Sequence, residues 1–371
     1  MASLMERIIK NSNSKEATRL SDADYLTANY IIPTQIPILN AAFSGSLFGG
    51  FEPGITMIAG ESKTFKTSMA LIAAKAFLDK HEDGIVLFLD CEFGSRRQML
   101  QNVGIDIERV AHIPFTNLEE LKQETVQQLK QLNKEDNVFV LVDSIGNTAS
   151  LKEVTDAEEG NTTADMTRAK QLRSYFRMIT PTINLKKIPF FGINHTYNSI
   201  GFIPKQEMGG GGGPMYASDT VIFVTKAQMK DGSEKIGNQF NLKIEKSRSL
   251  KEGSKLPISV SFKEGVLPWS GLFEMASEGG FITMPTKGFY QVEGYGEKKY
   301  RKKDMNDADF WTPLLENPEF DQFIQNKLLL SDLSLQTNKE AALDAYNKAE
   351  VEAIHIEEDG EEEETDDNDT Y

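Results

Sequence analysis

Four short apolar runs, at residues 55–59, 85–89, 138–142 and 190–193, alternate with long amphipathic stretches at 66–80, 118–132 and 164–185. Runs of four or five residues are too short for a buried helix, and apolar residues without alternation read as strands covered on both faces. A strand, a helix and a strand, repeated, return the chain to the same end of a sheet each time. Neighbouring strands then pair in parallel and the helices shield the two faces. The expected fold class is α/β, with a mostly parallel sheet flanked by helices.

After Ser218 the rhythm changes. Residues 220–225, 239–244 and 256–262 read as strands joined through Lys230-Asp-Gly-Ser and Lys251-Glu-Gly-Ser, so antiparallel or mixed hairpins should extend the sheet. Residues 269 to about 345 hold helical stretches at 272–277 and 310–329, with a basic, hairpin-like segment between them. At the other end Leu4, Met5, Ile8 and Ile9 recur at helical spacing before a polar stretch and the pair Ile31-Ile32. A helix that short is marginal alone and must bury its apolar face, either on its own domain or on a neighbouring subunit. The expected organisation is a helix and linker over 1–35, a core over 36–268, a small C-terminal region over 269–348 and an acidic tail over 349–371.

Composition removes several alternatives. The single cysteine, Cys91, excludes an internal disulfide framework, and no Cys/His cluster has the spacing of a zinc site. The first fifteen residues lack an uninterrupted apolar core and a small-residue cleavage site, and nowhere do eighteen apolar residues run together, so a soluble, cytoplasmic protein without a membrane partner is expected. The formal net charge of -16 argues at first against a nucleic-acid partner, but from Glu350 onward there is no Lys or Arg and acidic residues dominate. Such a run repels itself and buries no core. It reads as a solubilising tail, or as a DNA mimic that competes for the protein's own basic surface.

The chemistry is written where the runs end. Directly after 55–59 comes Gly60, Glu61, Ser62, Lys63, Thr64, Phe65, Lys66 and Thr67, opening a helix. A phosphate loop needs backbone N–H groups curled around phosphate, a lysine reaching the β and γ phosphates and a hydroxyl for Mg²⁺. Gly60, Lys66 and Thr67 supply these, although Phe65 stands where a glycine is usual. The run 138–142 ends in Asp143-Ser144, the form of a strand whose carboxylate holds the magnesium shell, or simply an aspartate closing a strand. The run 85–89 ends in Asp90-Cys91-Glu92, where a carboxylate beside the phosphates could polarise an attacking water. Cys91 reads as a small buried residue. The fourth run ends Asn194-His195-Thr196; a lone histidine is often structural, but this one stands at the strand end where parallel sheets bind ligands.

Two long polar connections follow, at 152–165 and 197–215, the second containing Gly209 through Gly213. Long loops in a compact domain are commonly functional or disordered. Between them a helix carries Arg168, Lys170, Arg173 and Arg177, with Lys170 and Arg177 seven apart on one face. Farther on, Lys298, Lys299, Arg301, Lys302 and Lys303 form a basic patch flanked by Tyr295 and Tyr300, expected to gather duplex DNA.

These strand ends, in this order, resemble the RecA family of recombinases and its bacteriophage branch in particular. The phrases GESKTFKT, LFLDCEFG, LVDSIGNTAS, DMTRAKQLRSYFRMITP, INHTY, GGGGPMYASDTV and IEKSRSLKE carry the likeness, which spans roughly residues 1 to 330. The resemblance implies a RecA-type P-loop ATPase core with an N-terminal oligomerisation helix. It implies Glu92 rather than Asp90 as the catalytic carboxylate, and His195 as the sensor of the γ-phosphate where bacterial members usually carry Gln. It implies Lys246 and Arg248 as cations reaching in trans onto a neighbour's ATP, and Met99 with Arg96 at the adenine. Gly209, Gly210 and Gly211 and the cations of 168–177 would be DNA contacts. ATP and Mg²⁺ are the implied cofactors. The implied partners are single-stranded DNA, a homologous duplex, further copies in a helical filament, and mediator and single-strand-binding proteins. A RecA-fold hexameric helicase shares the nucleotide elements, and a non-hydrolysing DNA-binding scaffold would share the site without turnover.

Overall fold

The computed structural model describes residues 3–23, 30–160, 167–199, 206–294, 296–301, 304–305 and 307–330. The chain divides into Met1–Leu329 and Leu330–Tyr371, and the second unit, acidic tail included, lies outside the described residues except for Leu330.

Among the described residues the order runs α1 (Leu4–Lys10), α2 (Pro37–Ser44), β1 (Gly54–Gly60), α3 (Lys66–Lys80), β2 (Ile85–Asp90), α4 (Arg97–Val103), β3 (Val110–Pro114), α5 (Leu118–Gln131) and β4 (Val138–Asp143). It continues with α6 (Leu151–Glu158), α7 (Thr167–Leu185), β5 (Pro189–Asn194), β6 (Thr196–Asn198), β7 (Gln206–Met208), α8 (Gly212–Ala217), β8 (Thr220–Asp231), β9 (Glu234–Lys246), β10 (Lys255–Ser261) and β11 (Gly265–Val266). Last come α9 (Leu272–Glu278), β12 (Ile282–Thr286), β13 (Phe289–Val292), α10 (Ala308–Glu316) and α11 (Pro318–Leu328).

One nine-stranded sheet has the order β11-β10-β9-β8-β1-β5-β4-β2-β3. From β3 to β8 neighbours pair in parallel, and β9, β10 and β11 add antiparallel strands. The uninterrupted apolar runs are explained by the two faces they serve. Along β4, Phe139 and Leu141 join the core under α3, while Val138, Val140 and Val142 join the one under α5 and α7. Each face needs every second residue, so a strand with two covered faces is apolar throughout. Register then aligns the strand ends: Asp90 pairs with Asp143, Ala59 with Asn194 and Gly60 with Val224.

Three expectations need correction. Residues 310–329 do not form one helix: α10 stops at Asn317, whose side chain then accepts from Glu319 N to start α11 with Pro318 in its first turn. Proline has no N–H to continue the ladder of α10 and suits the first turn of a new helix, and with Asn317 capping α11 the break is favoured here. The connection at 152–165 is not wholly a loop, since Ser150 and Glu153 form a reciprocal capping box that starts α6; residues 161–166 lie outside the described set. Likewise 197–215 contains the β6–β7 hairpin and α8, with 200–205 outside the described residues.

The C-terminal region is built on the same core. Trp311 is fully enclosed and donates from Nε1 to Met305 O at 2.6 Å, and Asp321 accepts from Ser46 Oγ and from Leu47 N at 2.7 Å, tying α11 to the end of α2. By contrast Leu4, Met5 and Ile8 of α1 are each more than half exposed. Among the described residues no helix is long and apolar enough to cross a membrane.

Candidate nucleotide site and the surfaces around it

The loop from β1 to α3 has the form a phosphate cradle requires. A Cβ at Gly60 would lie 2.4 Å from Val224 O, so only glycine fits between the two strands. Lys63 and Phe65 take positive φ, 61° and 68°. For Phe65, where glycine was expected, that conformation costs roughly 1–2 kcal/mol; the ring offsets part of it by stacking on Phe240, 5.1 Å between centroids and 16° from parallel. Lys66 is buried and donates from Nζ to Glu61 O at 2.7 Å, and Thr64 Oγ1 donates to the same carbonyl at 2.7 Å. Burial lowers the lysine pKa against the pull of Glu92 and Asp143, so an incoming phosphate would meet an ammonium short of partners.

Thr67 Oγ1 donates to Asp143 Oδ2 at 2.9 Å, while Oδ1 of the same carboxylate is buried with no hydrogen-bond partner. Burial pushes the Asp143 carboxyl up to about 6, with the Thr67 bond opposing. A buried oxygen without a donor beside a threonine hydroxyl suits a hard divalent cation. Among the described residues no group of three or more His, Cys, Asp or Glu could hold a metal ion alone. A cation here would complete its shell from water and substrate oxygens, as Mg²⁺ commonly does.

The two carboxylates after β2 have separate fates. Asp90 is buried and its Oδ1 accepts from Glu92 N at 3.0 Å and Phe93 N at 2.9 Å, while Oδ2 takes His112 Nε2 at 3.1 Å. It serves the turn. Glu92 reaches the cavity instead, and its Oε1 accepts from Ser144 Oγ, from Asn147 Nδ2 at 2.8 Å and from His195 Nε2 at 3.0 Å. The His195 bond, with that of Ser144 and the nearby Lys66 charge, outweighs burial and holds the Glu92 carboxyl down to about 2. Cys91 stays a thiol, its pKa raised by burial.

Asn194 and His195, consecutive, point different ways. Asn194 Nδ2 donates to Gly209 O at 3.0 Å, and Gly209 N donates to His195 O at 2.9 Å, so the glycine segment is bonded directly to His195, which meets Glu92, and to its neighbour. A cavity of about 320 Å³ lies between Lys63, Lys66, Thr67, Glu92, Asp143 and His195. Through Phe65, Ser68, Gly94 and Met99 it adjoins a larger one of about 840 Å³, walled by Ile72, Val103 and Val266 and bearing Arg96.

On α7, Lys170, Arg173 and Arg177 form an exposed stripe at spacings of three and four. Arg168 does not share it: its guanidinium turns inward onto the carbonyls of Thr148, Gly146 and Ile145. Gly210 and Gly211 have φ of 91° and 69°, a Cβ at Gly210 would stand 2.4 Å from Leu172, and one at Gly213 3.2 Å from the Arg173 backbone. The glycines therefore lie against α7 beside the stripe.

Lys246 and Arg248 are elsewhere. Lys246 pairs with Val221, which pairs with Met57, three residues or about 10 Å before Gly60 along the strand. Lys246 Nζ donates to the carbonyls of Met215, Tyr216 and Ser218, and Arg248, 80% exposed, pairs with Asp219 at 2.6 Å. Both sit toward the amino ends of the parallel strands and do not meet their own phosphate loop. Of the basic C-terminal patch, Lys298 lies over the Tyr300 ring and Arg301 over Phe289; Tyr295, Lys302 and Lys303 lie outside the described residues. Sequence reasoning missed Ser144 and Asn147 as partners of Glu92, because a polar residue within a polar stretch has no spacing to mark it.

Comparison with known proteins identifies the family. The RecA N-terminal domain model matches residues 4–267, and a model described as Bacteriophage T4, Recombination and repair protein, C-terminal domain matches residues 269–324. The Recombination and repair protein of Enterobacteria phage T4 is 40% identical over 361 residues, 95% of this chain and 92% of that protein. Protein RecA of Streptomyces ambofaciens is 23% identical over 303 residues (80% and 77%), and that of Bacteroides thetaiotaomicron 25% over 283 (75% and 82%). A parallel sheet whose carboxyl ends gather a phosphate loop, two acidic strand ends and a glycine segment, in a chain matched along nearly its whole length, belongs to the RecA family of recombinases.

Proposed function

We propose that this chain is an ATP-dependent homologous recombinase that polymerises on single-stranded DNA and exchanges that strand into a matching duplex, hydrolysing ATP as it turns over. The observation that carries the reading is the hydrogen-bonded path Glu92–His195–Asn194–Gly209, which joins a nucleotide cavity to a glycine segment lying beside a basic stripe.

Lys66 neutralises phosphate charge, and backbone amides of 60–67 cradle it. Mg²⁺, held through Thr67 and Asp143, would supply charge neutralisation on the phosphate oxygens. Glu92 takes the proton of a water whose oxygen bonds to the γ-phosphorus, as the bridging oxygen leaves with ADP. Lys246 and Arg248, unable to meet their own loop, act on the ATP of a neighbouring copy, and cations in such positions contribute about 10³-fold or more to rate. Met99 and Arg96 stand at the base. Lys170, Arg173, Arg177 and the amides of Gly209, Gly210 and Gly211 hold phosphates of the single strand, which leaves base edges free to select the duplex by pairing. Lys298, Lys299 and Arg301 gather that duplex. The apolar face of α1 is the surface for docking on the next subunit. Loading on strands already coated by single-strand-binding protein requires a mediator partner.

The test is ATP hydrolysis with and without single-stranded DNA, together with strand exchange and electron microscopy of the complex. DNA-stimulated hydrolysis, exchanged product and open helical filaments are expected. Closed six-membered rings with processive unwinding would replace this reading by a helicase motor, and binding without stimulated hydrolysis by a scaffold.

A further inference from the structure

The loop after β4 is held from two sides. From behind, Arg168 at the start of α7 donates to the carbonyls of Thr148 at 2.9 Å, Gly146 at 2.6 Å and Ile145 at 3.3 Å. In front, Asn147 donates from Nδ2 to Glu92 Oε1 at 2.8 Å. Gly146 keeps the loop close to β5, since a Cβ there would lie 2.6 Å from both Asn194 Oδ1 and His195 N. Asn147 itself is exposed. Packing does not aim it at Glu92; the loop's backbone and the hydrogen bond do.

We propose that Asn147 is a positioning residue that restrains the Glu92 carboxylate in subunits free of nucleic acid, and that Arg168 is the handle by which a bound strand releases it. The proposal rests on the reading of Glu92 as the hydrolytic carboxylate. Three donors, from Ser144, Asn147 and His195, converge on Glu92 Oε1. Three donors on one oxygen fix the carboxylate's orientation and drain its basicity, so only Oε2 is left to take the proton of a water, and takes it weakly. Shedding one donor restores both freedom and basicity. Ser144 and His195 directly follow β4 and β5 and are held by the sheet, whereas Asn147 is an exposed loop residue whose neighbours at 145, 146 and 148 are held by Arg168 as well as by the bonds of Ile145 N to Ile193 O and Thr148 Oγ1 to Ser144 O. An arginine fork binds a phosphodiester more strongly than it binds neutral carbonyls. Arg168 lies within one turn of Lys170, where the exposed stripe begins, but on another side of α7, so a strand laid along the stripe passes the helix end from which Arg168 would have to swing outward to meet a phosphate. Drawing Arg168 off loosens residues 145–148 and lets Asn147 leave Glu92.

The experiment measures steady-state ATP turnover of the full chain, without DNA and at saturating single-stranded DNA, for Asn147→Ala, Asn147→Asp and Arg168→Lys. Loss of one charge-assisted hydrogen bond should raise the DNA-free kcat about three- to tenfold. The DNA-saturated kcat and the KM for ATP should stay within about twofold of the parent, so the stimulation ratio shrinks. Asn147→Asp keeps the shape, loses the donor and sets a like charge beside Glu92, so its DNA-free rate should rise at least as far as that of the alanine variant. Arg168→Lys cannot span three carbonyls and should shift the ratio in the same direction, without adding to Asn147→Ala in the double variant. An unchanged ratio in Asn147→Ala, an Asn147→Asp variant indistinguishable from the parent, or both rates falling together would each overturn the proposal. Glu92→Gln separates the two levels: if it hydrolyses normally the hydrolytic reading itself fails, and if it is inactive while Asn147→Ala is silent, only the restraint fails.

Discussion

Two carboxylates lining the nucleotide cavity have been driven in opposite directions, and their chemistry follows. Glu92, held to about 2 by its donors, is ionised at every working pH; whatever stability its bonds contribute is present above the ordinary glutamate range and is lost only as pH falls toward 2. Replacing it by glutamine should leave nucleotide binding intact and slow turnover by about 10²–10⁴-fold, the usual worth of a general base, as single-turnover hydrolysis would record. Asp143 goes the other way. Its folded value of about 6 exceeds the 3.8 of a free aspartate, so the folded protein binds the proton more tightly. Its contribution to stability is complete below about 3.8 and lost as pH rises through about 6. A cation needs the ionised form. Raising pH from 5 to 7 should therefore strengthen the Mg²⁺-dependent part of nucleotide binding, measured by fluorescent-nucleotide titration with and without Mg²⁺; a flat dependence would remove Asp143 as a ligand. The end of an apolar run marked Asp143, whereas the run at 85–89 ends in Asp90-Cys91-Glu92 and only the family resemblance chose Glu92. The exhaustion of Asp90 by two turn amides and His112 could be read only from the folded chain.

Among the strands, those with two covered faces were legible from end to end, while exposed stretches at the border of the sheet were not. The helix expected over 66–80 is α3 to the residue, and the four buried strands extend their apolar runs by one residue at one or both ends. β3 escaped notice because it borders the sheet and is largely exposed, so its residues need no apolar pattern. The outer halves of β8 and β9 are polar for the same reason. The break between α10 and α11 was read through because the apolar periodicity continues across Asn317 even though the backbone cannot. The stripe on α7 carries its own prediction. If Lys170, Arg173 and Arg177 hold three phosphates, converting all three to alanine should lower the slope of log affinity against log salt for single strands by about 2. Nucleotide binding should be unaffected. An unchanged slope would assign the stripe to bulk solvent.

For the whole molecule, the decisive relation is between the phosphate loop at the carboxyl ends of the strands and Lys246 with Arg248 toward their amino ends. Two variants, Lys66→Ala and the pair Lys246→Ala with Arg248→Ala, should each be nearly inactive alone. Mixed in equal amounts they should recover activity at about a quarter of junctions, because a head-to-tail contact brings one sound loop to one sound pair of cations. Absence of recovery, with co-assembly shown by sedimentation, would place the cations outside the reaction. The same separation sets a counting rule. If Lys246 and Arg248 act in trans as proposed, each molecule owns one half of two reaction centres and the whole of none, so a row of n copies holds n minus one working centres and a solitary copy holds zero. Output per copy must then climb with row length toward a ceiling, and fade on dilution before any copy unfolds.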